Sequence, residues 1–371
     1  MSGALDGLIV ADFSRVLAGP YATMLLGDLG ATVIKVERPG SGDDTRSWRP
    51  PVDSHGVATY FQSVNRNKYS VAWDLDISED RQRAIRLAHK ADVVIENFPS
   101  GALDRRGLGY DDVTAANPRV IYCSISGFGA ASDLPGYDLI VQAMGGLMDI
   151  TGDAGPTKVG VAIVDVVTGL HAAIGILAAL HHRDQTGEGQ RIDVTLLGSL
   201  LSALVNQSAA AVITGESPHR MGNAHPSICP YEPYPTADRS IVIAVGNDQQ
   251  FARLCHVLGH AEWADDPRFA TNTARVEHRE QLSALISGIL CGRGANEWRS
   301  LLEAERIPCG PINTVTEAIV AANKLGLEPI VEIEGNKQVA NPLSFSRTPA
   351  TYRLRPPVLD EHSRLIEDLL A

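Results

Sequence analysis

The feature that most constrains this chain is a strand–helix–strand pattern at its start. Two short apolar runs, Leu8–Phe13 and Ala31–Glu37, read as buried strands. Between them, Tyr21–Leu29 has helical spacing after Pro20, and Gly30 ends it. Two strands joined by one crossover helix run in the same direction. The pattern therefore predicts a parallel sheet with helices packed on its faces.

The alternation of strands and helices continues over about half of the chain. It predicts an α/β, Rossmann-like, doubly wound domain. Further strands are expected at Val71–Leu75, Ala91–Asn97, Val120–Ser126 and Arg191–Thr195, and a helix capped by Ser78 at Ser78–Lys90. Long helices rich in small residues are expected at Asp138–Asp149, Val166–Arg183 and Leu196–Ile213.

A second, smaller α+β domain is expected in residues 226–320. A hairpin of Tyr231–Pro235 and Ile241–Val245 is followed by helices at about 247–258, 275–290 and 295–305. Residues 1–200 and 328–371 would form the large domain, and 201–225 and 321–327 the linkers. A last helix is expected to begin near Asp360.

Charge and cysteine content narrow the functional classes. The net charge of −12 argues against a nucleic-acid partner. Five cysteines with no C-x-x-C pair are typical of reduced thiols, and we expect a cytoplasmic protein without a signal peptide. The uncharged stretch Leu196–Gly215 has Asn206 and Gln207 at its centre, so we expect a buried helix and no membrane span.

Several common catalytic motifs are absent from the sequence. It contains no P-loop, no G-x-G-x-x-G after the first strand and no G-x-S-x-G elbow. No cysteine and histidine spacing indicates a metal site, and His256 and His260 fit a helix surface. ATP-dependent chemistry, dinucleotide binding and serine hydrolysis are therefore disfavoured.

Two patches remain as candidates for chemistry. Asp165 is a lone acid in the apolar run Val161–Gly169, where a helix begins. It is either an N-cap or a buried carboxylate acting as nucleophile or base. Arg38 and Arg46 flank a glycine-rich bend after the second strand, which forms either a phosphate cradle or a charged loop.

Five stretches of the sequence resemble the family III CoA-transferases, the CaiB/BaiF family. They are DFSRVLAGPYATMLLGDLGATVIKVERPGSGDDTR (12–46), ENFPSGALDRRGLGYDDV (96–113), GYDLIVQAMGGLMDITG (136–152), DVVTGLHAAIGILAALHHRDQTGEGQRIDV (165–194) and RIPCGPINTV (306–315). The resemblance implies a Rossmann-like large domain built from both chain ends, a small domain, and a homodimer of interlocked chains.

The resemblance also implies a mechanism for Asp165. Its carboxylate would attack an acyl-CoA thioester and form a mixed anhydride, which the CoA thiolate converts into an aspartyl-CoA thioester. An acceptor carboxylate would then reverse these steps and leave as the new acyl-CoA. CoA is thus a substrate, and no permanently bound cofactor or metal is expected.

Binding residues follow by resemblance as well. Tyr137 would lie close to the thioester, and CoA would contact Val16, Arg38, Trp73, Asp74, Leu75, Asn97, Phe98 and Arg105. Asp76 departs from members that carry a lysine there. The loop Met221–Ser227 lacks the glycine run of oxalate-handling members and looks more like members that use succinyl-type dicarboxylates. Asn223 and His225 in it either contact the acyl group or form a plain turn.

Two rival functions remain open. An α-methylacyl-CoA racemase of the same family would use a histidine in a G-H-D motif, where this chain has Gly136-Tyr137-Asp138. A tyrosine phenol, with a pKa of ~10, is a poorer base near neutral pH than an imidazole. A non-catalytic CoA-binding protein is the other rival, and the lone Asp165 argues against it.

Overall fold

The computed structural model describes residues 3–370, and the chain divides into two compact units. The first unit comprises residues up to Leu147, Lys158–Ser217 and residues from Gly326 on. The second comprises Met148–Thr157 and Pro218–Leu325. We expected the smaller domain at 226–320, without the short segment Met148–Thr157.

A parallel sheet forms the centre of the first unit. Its strands are β1 (Ile9–Asp12), β2 (Thr32–Glu37), β3 (Lys68–Ala72), β4 (Val93–Glu96), β5 (Ile121–Ser126) and β6 (Gln190–Thr195). Their spatial order is β3-β2-β1-β4-β5-β6, and all neighbours are parallel. The order reverses between β1 and β4, and in sheets of this kind ligands bind at the carboxyl ends of the strands at that switch point. The predicted α/β class with a central parallel sheet is confirmed.

Helices cover both faces of this sheet. Val10 and Ala11 of β1 point to opposite faces and belong to two separate core clusters. The helices up to residue 214 are α1 (Ala18–Asp28), α2 (Thr59–Ser63), α3 (Ser78–Lys90), α4 (Tyr110–Ala116), α5 (Asp138–Met144), α6 (Leu147–Ile150), α7 (Ile163–Thr186), α8 (Leu196–Ala203) and α9 (Asn206–Thr214), of which α6 lies almost wholly in the second unit. Helices α1 and α7 pack on one face, and α3 packs on the other.

The C-terminal segment completes the first unit. It forms the hairpin β10 (Ile330–Ile333) and β11 (Asn336–Val339) and the helix α15 (Ser363–Leu370). The guanidinium group of Arg353 donates to the carbonyl oxygens of Gly27, Gly30 and Ala31 at 2.9–3.1 Å. The C-terminal segment therefore satisfies backbone carbonyl groups at and just after the end of α1.

The second unit has a core and a sheet of its own. An antiparallel sheet of β7 (Tyr231–Tyr234), β8 (Ile241–Ala244) and β9 (Cys309–Pro311) packs with α10 (Asp248–Val257), α11 (Asn272–Glu277), α12 (Arg279–Leu290) and α13 (Ala295–Ala304), and α14 (Val315–Lys324) follows. The buried Arg275 donates to the carbonyl oxygens of Cys229 and Phe269 and pairs with Asp248. One side chain thus joins three segments of this unit.

Several predicted boundaries were wrong. Helix α7 begins at Ile163, so Asp165 lies in its first turn and is not its N-cap. The helix expected over Leu196–Ile213 is two helices, α8 and α9, bent by 88° around Val205, whose φ is +44°. The strand expected at Val71–Leu75 is Lys68–Ala72.

Helix starts and breaks differ elsewhere too. Ser78 is the first residue of α3, and Ile77 occupies the cap position. The last helix begins at Ser363 and not near Asp360. The helix expected over Asp138–Asp149 divides into α5 and α6 because Gly145 and Gly146 interrupt it.

Helix α7 is long and apolar enough to cross a membrane by length and composition, and the bent pair α8–α9 passes the same test jointly. Nine residues of α7 are buried against the rest of the chain, however, among them Ala172, Ile176 and Ala179. Core helices of water-soluble proteins have the same composition.

Candidate active site

Asp165 lies in the first turn of α7, and another carboxylate caps that turn. The backbone N–H groups of Val164 and Asp165 donate to Oδ1 of Asp138, at 2.8 and 3.3 Å. Asp138 is in the first turn of α5. The residue before α7, Ala162, offers no side-chain acceptor. A distant side chain therefore satisfies N–H groups that every helix start leaves unpaired.

Gln142 completes the connection between α5 and the segment that enters α7. Its side-chain amide donates to Oδ2 of Asp138 at 2.6 Å, and its Oε1 accepts from the backbone N–H of Val159 at 2.9 Å. The Gln142 side chain is buried. The segment from Val159 to Asp165 is thus held at both of its ends.

The surroundings of Asp165 disfavour its charged form. Burial, and to a smaller extent repulsion from Asp138, raise the pKa of the Asp165 carboxyl to about 7. A carboxylate with a raised pKa is more basic, and hence a better nucleophile once ionised, than an ordinary aspartate. Asp165 therefore has the electrostatic setting of a functional group.

Tyr60 of α2 belongs to the same electrostatic cluster. Burial, together with the charges of Asp165, Asp138 and Asp43, raises the pKa of Tyr60 to about 12. The phenol remains protonated at neutral pH and is available as a hydrogen-bond donor. The ring of Trp48 packs edge-on against it, with ring centroids 5.2 Å apart.

At the carboxyl ends of β1 and β4, Asn97 joins two of the loops expected to bind CoA. Its Oδ1 accepts from the backbone N–H of Arg15 at 2.9 Å, and its Nδ2 donates to the Arg15 carbonyl at 2.7 Å. The guanidinium of Arg15 lies over the Phe98 ring, 4.9 Å from its centroid. Asn97 and Phe98 thus hold the loop after β1 at the switch point of the sheet.

Val16 follows in the same loop and has a strained backbone. Its φ of +70° is unfavourable for a β-branched residue. Its N–H lies 3.3 and 3.4 Å from the two carboxylate oxygens of Asp43. Asp43 also forms a 2.9 Å ion pair with Lys35, both side chains being fully buried, and Lys35 donates to the Ser14 carbonyl. The charge of Lys35 contributes to lowering the pKa of Asp43 to about 2, against the opposing effect of burial.

The glycine-rich bend after β2 holds two arginines in different settings. Arg46 forms two 2.7 Å hydrogen bonds to Glu37, so its charge is compensated inside the fold. Arg38 is exposed and pairs with the partly exposed Asp44 at 2.6 Å, which also lies 3.6 Å from Arg15. Of the two predicted alternatives for this bend, a phosphate cradle is compatible with Arg38 and not with Arg46.

The loop after β3 contains three of the predicted CoA contacts. The indole of Trp73 is buried in the core, and Leu75 packs beside it. The Asp74 backbone N–H donates to Asp80. Asp76, at the position where some family members carry a lysine, accepts two hydrogen bonds from Arg106. With Trp73 enclosed, a ligand would meet this loop through Asp74 and Leu75.

Arg105 and Tyr137 are both exposed, and Tyr137 retains 64% of its accessible surface. Asn223 and His225 lie in the second unit. The His225 carbonyl accepts from Arg279 at 2.7 Å, and its Nδ1 accepts from the backbone N–H of Ser227. These contacts are those of an ordered turn. They leave the predicted role of Asn223 and His225 in acyl binding as a prediction.

Four functional candidates were missed in the sequence: Asp138, Gln142, Asp43 and Tyr60. A signal existed for one of them, since a lysine inside the apolar strand at Lys35 requires a buried acidic partner. Among residues 3–370, no group of three or more histidine, cysteine or acidic side chains could hold a metal ion.

Fold and site together define an α/β enzyme with a parallel sheet that has one switch point and with a partly buried aspartate in the first turn of a helix. The chain belongs to the CoA-transferase family III, whose model matches residues 5–363, and it is a CoA-transferase. It is 44% identical to the succinate–glutarate CoA-transferase of Agrobacterium fabrum, covering 96% of this chain and 93% of that protein. It is 43% identical to the succinyl-CoA:glutarate CoA-transferase of Mus musculus, over 98% and 85%. The crystal structure of a CAIB/BAIF family protein from Brucella suis superimposes with a TM-score of 0.90 at 43% identity, covering 100% of both chains.

Proposed function

We propose that this CoA-transferase moves CoA from succinyl-CoA to a free dicarboxylate of the glutarate type. The names of its two similar relatives support the substrate class. The observation that carries the chemistry is Asp165, a partly buried carboxylate with a raised pKa in the first turn of α7.

The reaction proceeds in two half-reactions. The Asp165 carboxylate attacks the thioester carbonyl, the carbon–sulfur bond breaks, and a mixed anhydride and a CoA thiolate result. The thiolate attacks the aspartyl carbonyl, which releases succinate and leaves an aspartyl-CoA thioester. The acceptor carboxylate attacks the aspartyl-CoA thioester, which expels the CoA thiolate and forms a second mixed anhydride. The thiolate attacks the acceptor's carbonyl in this anhydride, which forms the new acyl-CoA and frees the Asp165 carboxylate. One thioester is consumed and one is made, so no ATP is required.

The site assists by holding the acyl group away from water. An anhydride hydrolyses readily, and the partly buried position of Asp165 limits solvent access. The protonated phenol of Tyr60 supplies a donor for developing negative charge on an acyl oxygen. CoA binds across the loops that carry Val16, Arg38 and Asn97, with the other contacts predicted from the sequence around them.

The racemase alternative is disfavoured by the composition of the site. Position 137 holds a tyrosine instead of the histidine that such isomerases use as a base. The exposed phenol of Tyr137 is better suited to contact the acyl-CoA than to remove a proton from it.

The proposed active form is a cytoplasmic homodimer. An apolar stripe of α7, containing Leu170, Ile174 and Leu177, is exposed, as are Val212 and Ile213 of α9 at more than 80% of their surface. Monomeric proteins rarely leave such a continuous apolar area uncovered, and a second copy of the chain would bury it. The cysteines are free thiols, as expected in a reducing compartment.

The test is a transfer assay in deuterated water. Purified protein is given succinyl-CoA and a panel of free carboxylic acids including glutarate, and products are read by mass spectrometry. We expect a new CoA thioester without deuterium in its acyl chain, and no transfer by Asp165→Ala. Deuterium at the α-carbon without exchange would instead establish a racemase. Transfer by Asp165→Ala would contradict the nucleophilic mechanism.

A further inference from the structure

We propose that Asp138 is a positioning residue for the nucleophile: its carboxylate fixes the first turn of α7 and thereby the direction in which Asp165 approaches the thioester. This inference rests on the proposed function, in which Asp165 attacks the acyl-CoA.

The position of Asp138 differs from that of an ordinary helix cap. An N-cap side chain normally bonds N–H groups two or three residues further along its own helix. Here the N-cap residue is Ala162, and the acceptor is a carboxylate on another helix. The bond from Val164 is short, at 2.8 Å, and the second goes to the N–H of Asp165 itself. The backbone of the nucleophile is therefore a direct partner of Asp138.

A second contact holds the same segment. Gln142 lies one turn beyond Asp138 on α5, bonds to its Oδ2 and accepts from the N–H of Val159. Asp138 and Gln142 thus hold the chain at Val159 and again at Val164. A segment held at two points on one helix has little freedom to rotate Asp165 away from its attacking direction.

The arrangement carries an electrostatic cost. An uncharged cap such as serine or asparagine would accept from the N–H groups of Val164 and Asp165 without placing a second carboxylate beside Asp165. A charged acceptor makes stronger bonds, and the donors to Asp138 are neutral N–H groups. The charge of Asp138 is consequently felt by Asp165, whose pKa it raises in addition to burial.

The titratable groups facing Asp165 are Asp138 from α5 and Tyr60 from α2. Tyr60 stays neutral at the pH of the assay because its pKa is about 12. The acid limb is the decrease of kcat/KM at low pH. If substitution of Asp138 moves this limb, the movement therefore reports the electrostatic interaction between Asp138 and Asp165.

The experiment compares Asp138→Ala and Asp138→Asn, with Asp133→Ala as a control from the exposed loop before α5. Steady-state transfer from succinyl-CoA is measured from pH 5.5 to 9. In Asp138→Ala we expect kcat at pH 8 to fall about 100-fold, the cost of a displacement of about 1 Å, with KM for succinyl-CoA within about threefold. In Asp138→Asn, the amide oxygen keeps the bonds from the N–H groups of Val164 and Asp165, and only the bond from Gln142 is lost, so kcat at pH 8 stays within about tenfold. The acid limb of kcat/KM moves to lower pH because the repulsion is gone.

Wild-type kcat in Asp138→Ala would overturn the proposal. Equal losses in Asp138→Asn and Asp138→Ala would also overturn it, because the charge would then act on the reacting atoms and not through the cap. An unchanged acid limb in Asp138→Asn would contradict the interaction between Asp138 and Asp165. If Asp138→Ala does not fold, the acid limb of Asp138→Asn is the result that tests the proposal. Failure of the proposed function is distinct: the wild-type enzyme would not transfer CoA, or Asp165→Ala would.

Discussion

Replacement of Asp43 by asparagine tests the buried ion pair beneath the Val16 loop. The Asp43 carboxylate lies 2.9 Å from the Lys35 ammonium group, and neither side chain has any exposed surface. In Asp43→Asn the positive charge of Lys35 loses this partner inside the fold, while the shape of the side chain is nearly unchanged. We expect a large loss of stability at pH 7.

The magnitude follows from the pKa of Asp43. Its decrease from 3.8 to about 2 corresponds to about 2–3 kcal/mol of folding free energy. Breaking a buried pair by removing one partner costs about 3–5 kcal/mol, so a loss of about 2–5 kcal/mol is expected. Because the folded-state pKa is depressed, this contribution is complete above pH 3.8 and is lost as the pH falls towards 2. At pH 3 about half of it remains.

The assay is equilibrium unfolding in urea, followed by tryptophan fluorescence at one protein concentration, at pH 7 and at lower pH. The matched control is Asp44→Asn, since the neighbouring Asp44 pairs with Arg38 at the surface, where ion pairs contribute about 0–1 kcal/mol. The difference in the free energy of unfolding between wild type and Asp43→Asn should become smaller as the pH is lowered. A loss at pH 7 no larger than that of the control would refute the reasoning.

Three further predictions follow from the site and the surface. The kcat/KM of the wild-type enzyme should fall about tenfold per pH unit below about 7, because the protonated form of Asp165 is not nucleophilic; a rate constant independent of pH between 5.5 and 8 would contradict this. Ile174→Asp should shift the mass measured by light scattering from that of a dimer to that of a monomer. Ile77→Asp, at a similarly exposed residue away from the α7 stripe, should leave the mass unchanged. If both variants were monomers, or both were dimers, the proposed interface on α7 would be contradicted. Arg353→Met should lower the free energy of unfolding by about 1–3 kcal/mol, because three carbonyl groups lose their donor, and an unchanged urea midpoint would count against it.

The parallel sheet was predictable because its strands are short apolar runs between turns. Strands β1, β2 and β5 were found within one or two residues for this reason. The range predicted for β3 began three residues too late, because the strand begins with Lys68 and a charged residue normally indicates the end of a strand. The Lys68 ammonium group is instead buried at 3.2 Å from Asp12. A partner on another strand makes this possible, and no local pattern shows such a partner.

The site shows the same limit. Asp165 was identified because a lone acid in an apolar run is visible in the sequence, and of its two predicted roles the structure excludes the N-cap. The cap of α7 comes from Asp138, on a separate helix, and only the folded chain brings the two together. The tertiary pairs Asp43–Lys35 and Gln142–Val159 were missed for the same reason.

The contacts of Arg353 with the end of α1 have a consequence for how the protein is made. A ribosome synthesises the chain from its N-terminus, so the first strands emerge long before the segment that completes their unit. The second unit has all of its residues once Leu325 has emerged, whereas the first still lacks everything from Gly326 on. We therefore expect the nascent chain to complete its inserted unit before the unit that carries Asp165.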